Sequence, residues 1–205
     1  MPIKTLLVGV ALLITLIAGI LTFMLVEQAP RATAPQTAML FADQSELPEF
    51  ELLDHDGNEV GKEVFKGHWN LVFFGFTHCP DICPMTLTVL ADAQRQLRER
   101  GLALPRIVLV SVDPERDTPD KLGQYIDYFG EGNLGLTGDL GQIRKLTTAL
   151  GIFFEKTPSD GDNYSVDHSA VVMIIDPDGR QHGIFSSPHV AGNFVNDLPI
   201  IMARQ

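Results

Sequence analysis

Phe73-Phe74-Gly75-Phe76-Thr77-His78-Cys79-Pro80-Asp81-Ile82-Cys83-Pro84 holds both cysteines of the chain, four positions apart, on a turn that leaves an apolar run. Leu71 to Phe76 is continuously apolar, the pattern of a strand buried on both faces. Pro84 suits the first position of a helix, where its missing N–H is no loss. Leu87, Leu90, Ala93 and Leu97 then recur on one helical face, and Gly101 is a natural stop. This reading puts Cys83 at or near the helix N-cap, where the positive helix end favours a thiolate, with Cys79 converging on it from the approach loop. The spacing is CxxxC rather than CxxC. The extra residue weakens the case for a simple disulfide oxidoreductase and strengthens that for two thiolates sharing a soft metal ion. A purely structural disulfide would close a ring of only five residues and remove little entropy from the unfolded chain.

Outward from this segment, strand and helix signals alternate. Phe50 to Val64 reads as a hairpin about Asp56-Gly57, and Ile107 to Val112 as a second buried strand. Thr118-Pro119 caps a helix with Leu122, Tyr125, Ile126 and Phe129 on one face and Gly130 at its end. Asp139 opens another, with Leu140, Ile143, Thr147 and Leu150 inward. Ala170 to Ile175 and Arg180 to Phe185 flank the turn Asp176-Pro177-Asp178-Gly179, and Val190 to about Ala203 is a last helix interrupted by Pro199. The expected fold is α/β, a central mixed sheet flanked by helices, with thioredoxin-like architecture as the specific form.

Ahead of this domain, Thr5 to Val26 is a 22-residue run without a charge, and about 20 apolar residues span a bilayer as a helix. Lys4 precedes it and no basic residue follows until Arg31, which orients the N-terminus to the cytoplasm. Cleavage as a long signal peptide near Ala32-Thr33-Ala34 is the alternative. With no room for a transit peptide, the expected location is the bacterial inner membrane, single-pass, with the soluble domain in the periplasm. The expected divisions are a transmembrane anchor at 1–26, a Pro/Ala/Thr/Gln-rich flexible tether at 27–46 and one domain at 47–205. The part beyond Val26 has 14 basic and 26 acidic residues, a balance of −12 that gives no support to nucleic-acid binding.

Of six histidines, His55, His68, His182 and His189 read as surface or core residues. His78 neighbours Cys79, but adjacent residues of an extended chain point to opposite faces. His168, in Asp167-His168-Ser169, stands between a polar loop and the strand Ala170–Ile175, a junction from which the thiol edge of the sheet is within reach; position alone leaves its role open.

Three stretches, Phe74 to Pro84, Ser111-Val112-Asp113-Pro114-Glu115-Arg116-Asp117-Thr118-Pro119, and Val166-Asp167-His168-Ser169, together resemble the Sco/SenC family, membrane-anchored thioredoxin-fold proteins required for assembling cytochrome c oxidase. The likeness runs from about Leu47 to the last helix. It implies one copper ion, Cu(I) or Cu(II), bound by Cys79, Cys83 and His168. It implies as partners the copper-site subunit of cytochrome c oxidase, a periplasmic thioredoxin-like reductant or another copper carrier, and the membrane through the N-terminal helix. Asp113 and Asp117 read as structural groups, and Met85 as filler. The stretch 155–165 before the histidine is expected to be mobile without metal.

Four functions compete: a copper metallochaperone, a thiol–disulfide reductase acting on the oxidase subunit's cysteines, a peroxidase, and a copper sensor. A peroxidase of the peroxiredoxin type needs Thr three residues before its Cys, whereas Thr77 lies two before Cys79. The sensor needs an output partner that the sequence does not show. His168 separates the first two, since a reductase tolerates its loss.

Overall fold

The structure, a computed structural model, describes the backbone over residues 3–27, 34–158 and 164–203; within 3–8 and 23–27 the side chains lie outside the described residues. The chain divides into two compact units, Met1–Thr33 and Ala34–Gln205. The first holds helix α1, Ile3–Glu27. Its apolar side chains from Val10 to Leu21 are exposed all around the helix. Among the described residues no helix is long and apolar enough to cross a membrane; parts of the expected span, 5–8 and 23–26, have side chains outside that description.

In the second unit, eight strands make one sheet: β1 (Met39–Leu40), β2 (Leu52–Asp54), β3 (Glu59–Val60), β4 (Asn70–Gly75), β5 (Arg106–Ser111), β6 (Leu134–Thr137), β9 (Val172–Ile175) and β10 (Gln181–Phe185). Their order is β1-β10-β9-β4-β5-β6-β2-β3. β4, β5 and β6 run parallel, with Phe73 opposite Leu109 and Val110 opposite Leu136, while β9 lies antiparallel against β4. Every residue of β4 is buried, so the apolar run is covered on both faces as its composition requires. Helices α2 (Ile82–Glu99), α3 (Pro119–Asp127), α4 (Leu140–Ala149) and α5 (Ala191–Met202) flank the sheet. α2 sets Leu87, Leu90, Ala93 and Leu97 into the core and packs against α5. The architecture is an α/β thioredoxin-like fold about a central mixed sheet. A separate two-stranded ribbon, β7 (Phe154–Pro158) and β8 (Tyr164–His168), stands outside that sheet.

Three expectations need correction. α2 begins at Ile82 with Asp81 as N-cap, so Pro84 is its third residue and Cys83 lies inside the first turn. A proline is tolerated there because first-turn N–H groups have no intrahelical partner. The tether read over 27–46 joins the domain from Ala34 onward. β1 pairs with β10, Ser45 O accepts from Gln181 N, and Glu46 bridges to Arg180. Of the stretch 155–165, residues 155–158 and 164–165 belong to the β7–β8 ribbon, and 159–163 lie outside the described residues. α5 continues through Pro199, because Phe194, Val195, Leu198 and Ile201 bury a complete face on either side of it.

Candidate metal centre

Cys79, Cys83 and His168 come together at one end of the central strands, their Sγ, Sγ and Nε2 atoms within 4.8 Å of one another. Among the described residues no other group of His, Cys, Asp and Glu side chains is placed to hold a metal ion. Both cysteines are free thiols. Cys83 is fully buried and Cys79 is 9 % exposed.

Each residue is placed by a different device. Cys83 is carried into the core by the first turn of α2, and its backbone N–H donates to Cys79 Sγ at 3.4 Å. Its sulfur rests over Gly75, where a Cβ would come within 2.8 Å of Sγ. Cys79 follows a turn closed by its own N–H to Phe76 O. That turn is pinned by the buried carboxylate of Asp117, which accepts from Thr77 N (3.0 Å), Thr77 Oγ1 (2.6 Å) and Ser111 Oγ (2.7 Å). His168 arrives at the end of β8, opposite Phe154, with its ring in T-shaped contact with Phe73 and Phe76.

The imidazole is set for coordination. Nδ1 lies 3.2 Å from Ser169 O, a group that only accepts, so Nδ1 carries the proton and Nε2 offers its lone pair to Cys83 Sγ at 3.4 Å. Burial holds the His168 pKa below the ordinary histidine value, which keeps the ring neutral. Burial also pushes the Cys83 thiol well up, with the hydrogen bond to Cys79 adding to it. This overturns the expectation of a thiolate drawn by the helix end. Burial favours the neutral thiol, and a cation is what would draw the proton off. Two soft sulfurs and a neutral imidazole nitrogen are a donor set that fits a copper ion.

Asp113 and Asp117 lie in the core rather than in the ligand set, in agreement with their structural reading. Asp113 pairs with Arg116 Nε and accepts from Tyr164 Oη at 2.6 Å. His78 is half exposed beside Thr77 and Asp117 and takes no place among the ligands. His55 Nδ1 accepts from Gly135 N, and His189 lies 2.7 Å from Ala170 O, two residues past His168. Met85 is exposed. Sequence reading missed Tyr164, Arg116 and Gly75. The alternation of Tyr164, Val166 and His168 with Ser165 and Asp167 was the available signal for β8. A cleft of about 300 Å³ opens over the site, bordered by Cys79, Asp81, Ile82, Val166, Asp167 and His168. A larger cavity of about 490 Å³, beside Leu52, Pro119 and Gly138, includes none of the three candidate ligands.

Comparison with known proteins gives a consistent result. The SCO1/SenC family model matches residues 40–202. The mitochondrial SCO2 homologue of Bos taurus is 39% identical over 157 residues, covering 76% of this chain and 59% of that protein, so the chain spans about three fifths of that relative. The SCO2-like protein of Rickettsia conorii is 32% identical over 186 residues, 88% of this chain and 90% of that protein. Among solved structures, Arabidopsis thaliana ScoI with copper bound aligns with a TM-score of 0.74 at 31% identity, covering 78% of this chain and all of that one.

Proposed function

The chain belongs to the SCO1/SenC family, and from that premise we propose that it is a membrane-anchored copper metallochaperone serving cytochrome c oxidase assembly. It takes one copper ion on Cys79, Cys83 and His168 and delivers it to the dinuclear copper site of the oxidase subunit. The observation that carries the reading is the convergence of two sulfurs and one imidazole nitrogen within 4.8 Å. The copper-bound state of a solved relative supports it.

Copper is cargo here. The two thiolates select Cu(I), and the nitrogen donor lets the same site accept Cu(II). Three protein ligands leave the ion open on the cleft side, where a partner's ligand can enter before one of these leaves. The uncharged run Thr5–Val26 and the apolar side chains exposed around α1 support a single-pass anchor with the N-terminus cytoplasmic and the domain in the bacterial periplasm. A thioredoxin-like reductant or a second copper carrier is the further partner this chemistry asks for.

A second reading, the thiol–disulfide reductase, is favoured by the cleft position of Cys79. Its thiolate attacks a partner disulfide, forming a mixed disulfide and releasing one partner thiol. Cys83 then attacks the Cys79 sulfur, releasing the other thiol and leaving Cys79 and Cys83 oxidised.

The test is copper stoichiometry and Cu(II) absorption of the reduced protein, wild type against His168→Ala. One copper per chain with a thiolate-to-Cu(II) band that the variant loses supports the three-ligand site. No stoichiometric copper in wild type, or equal binding by the variant, hands the lead to the reductase.

A further inference from the structure

Loop 113–117 grips both halves of the metal centre, by separate means. Asp117 holds the cysteine turn through Thr77. Asp113 and Arg116 reach onto the ribbon, and the Arg116 guanidinium also lies over the Phe76 ring, 5.6 Å from its centroid. The Arg116 guanidinium lies over the Tyr164 ring, 3.7 Å from its centroid, and its Nη1 donates to Tyr164 O at 3.1 Å. Its Nε pairs with Asp113, whose other oxygen accepts a hydrogen bond from the Tyr164 hydroxyl at 2.6 Å. Asp113, Arg116 and Tyr164 thus close a ring of contacts at the first residue of β8, the strand that ends in His168.

At its His168 end the ribbon is also held by the Phe73 and Phe76 rings and by Arg144 over Phe154; at its Tyr164 end the ties beyond this ring of contacts are weaker. Two strands alone are marginal in water. β7 buries only Phe154 and β8 only Val166. The pair Lys156–Glu115 is exposed at both ends, and such pairs contribute little. The grip also carries a cost, since Arg116 Nη2 is buried with no hydrogen-bond partner among the described residues. A buried charged pair of this kind is a poor source of stability and a good source of placement.

We propose that Arg116 is a positioning residue for His168: through Tyr164 it fixes the ribbon, and thereby sets how long copper stays on its nitrogen ligand. The proposal rests on the copper reading of the site. Arg116→Lys keeps the charge beside Asp113 but loses the planar fork and the stacking. Tyr164→Phe keeps the ring but loses the bond to Asp113. Glu115→Gln, at the exposed pair, is the control.

The experiment is hydrogen exchange on the metal-free full chain, followed by Cu(II) spectra and copper release to a chelator. In Arg116→Lys and Tyr164→Phe, amide exchange at Val166 to His168 is expected to rise roughly five- to tenfold, the equivalent of one lost hydrogen bond. β4 and β5 keep wild-type rates. The nitrogen contribution to the Cu(II) spectrum weakens, copper release quickens by a similar factor, and Glu115→Gln matches wild type in all three. Wild-type exchange at β8 with a wild-type Cu(II) spectrum overturns the proposal. So does a uniform rise across β4 and β5, which would make Arg116 a residue of general stability. A wild-type chain that binds no copper fails the functional reading instead, while metal-free exchange still decides whether Arg116 holds the ribbon.

Discussion

A methyl group on Gly75 would lie 2.8 Å from Cys83 Sγ and 2.9 Å from the Phe73 ring. Neither neighbour is free to retreat, since both are fully buried. Gly75→Ala is therefore expected to cost about 1–3 kcal/mol, as overpacked cores do, and to tilt Cys83 out of line with His168. Thermal melting and copper stoichiometry of the same variant check both parts. Asp117→Asn keeps the shape but replaces one of its acceptor oxygens with a donor. With Thr77 N, Thr77 Oγ1 and Ser111 Oγ all donating to it, at least one buried donor loses its partner, at a cost of about 1–3 kcal/mol. The Cys79 turn loosens with it, and faster alkylation of Cys79 by iodoacetamide is the readout. Cys79, Cys83 and His168 were each open to reading in the sequence, the thiols from spacing and the histidine from the motif around it. Gly75 was not, because its role exists only once α2 has folded back over β4.

Among the elements, the N-terminal strap is the clearest case of structure that composition hid. Residues 34–46 look like a linker because Pro, Ala, Thr and Gln show no periodicity. Their order comes from one buried acid far along the chain. Asp197 of α5 accepts from Gln36 N (2.8 Å), Thr37 N (2.7 Å), Thr37 Oγ1 (2.7 Å) and Ala38 N (2.9 Å). Burial alone would raise the Asp197 pKa, but these bonds outweigh it and hold the carboxyl below its ordinary value. A lowered folded-state pKa adds stability that is complete above the unfolded value and fades as pH falls through the folded one. The melting difference between wild type and Asp197→Asn is thus expected to be full at neutral pH and to shrink below about pH 4, as melts across that range will show. The ribbon escaped reading for a related reason. It buries only Phe154 and Val166, too little for a strong period-2 pattern, whereas β4 and β5, buried on both faces, were legible as apolar runs.

At the scale of the whole molecule, the boundary near Ala34 separates two units that answer different questions. A chain beginning at Ala34 is expected to melt like the domain of the full chain and to bind copper equally, while only the full chain sediments with membranes. A chain beginning at Leu47 lacks β1 and every strap bond to Asp197, and is expected to melt several degrees lower. Calorimetry and membrane fractionation of the three chains check this. The overall α/β plan was legible because the apolar runs of β4, β5 and β9 are interleaved with the helical periods of α2, α3 and α4. β6 escaped because Leu134-Gly135-Leu136-Thr137 is short and its glycine breaks the pattern; that glycine is needed where a Cβ would strike Leu122 at 2.7 Å.

Cys79 borders the cleft and Cys83 does not. The pair therefore has an outside and an inside, and traffic through it is one-sided. A visiting sulfur is expected to meet Cys79 first, so that a trapped mixed disulfide forms there and not at Cys83. For the copper delivery proposed above, this geometry asks the acceptor to seat itself over the cleft, a sheltered exchange between two surfaces rather than a release into solution.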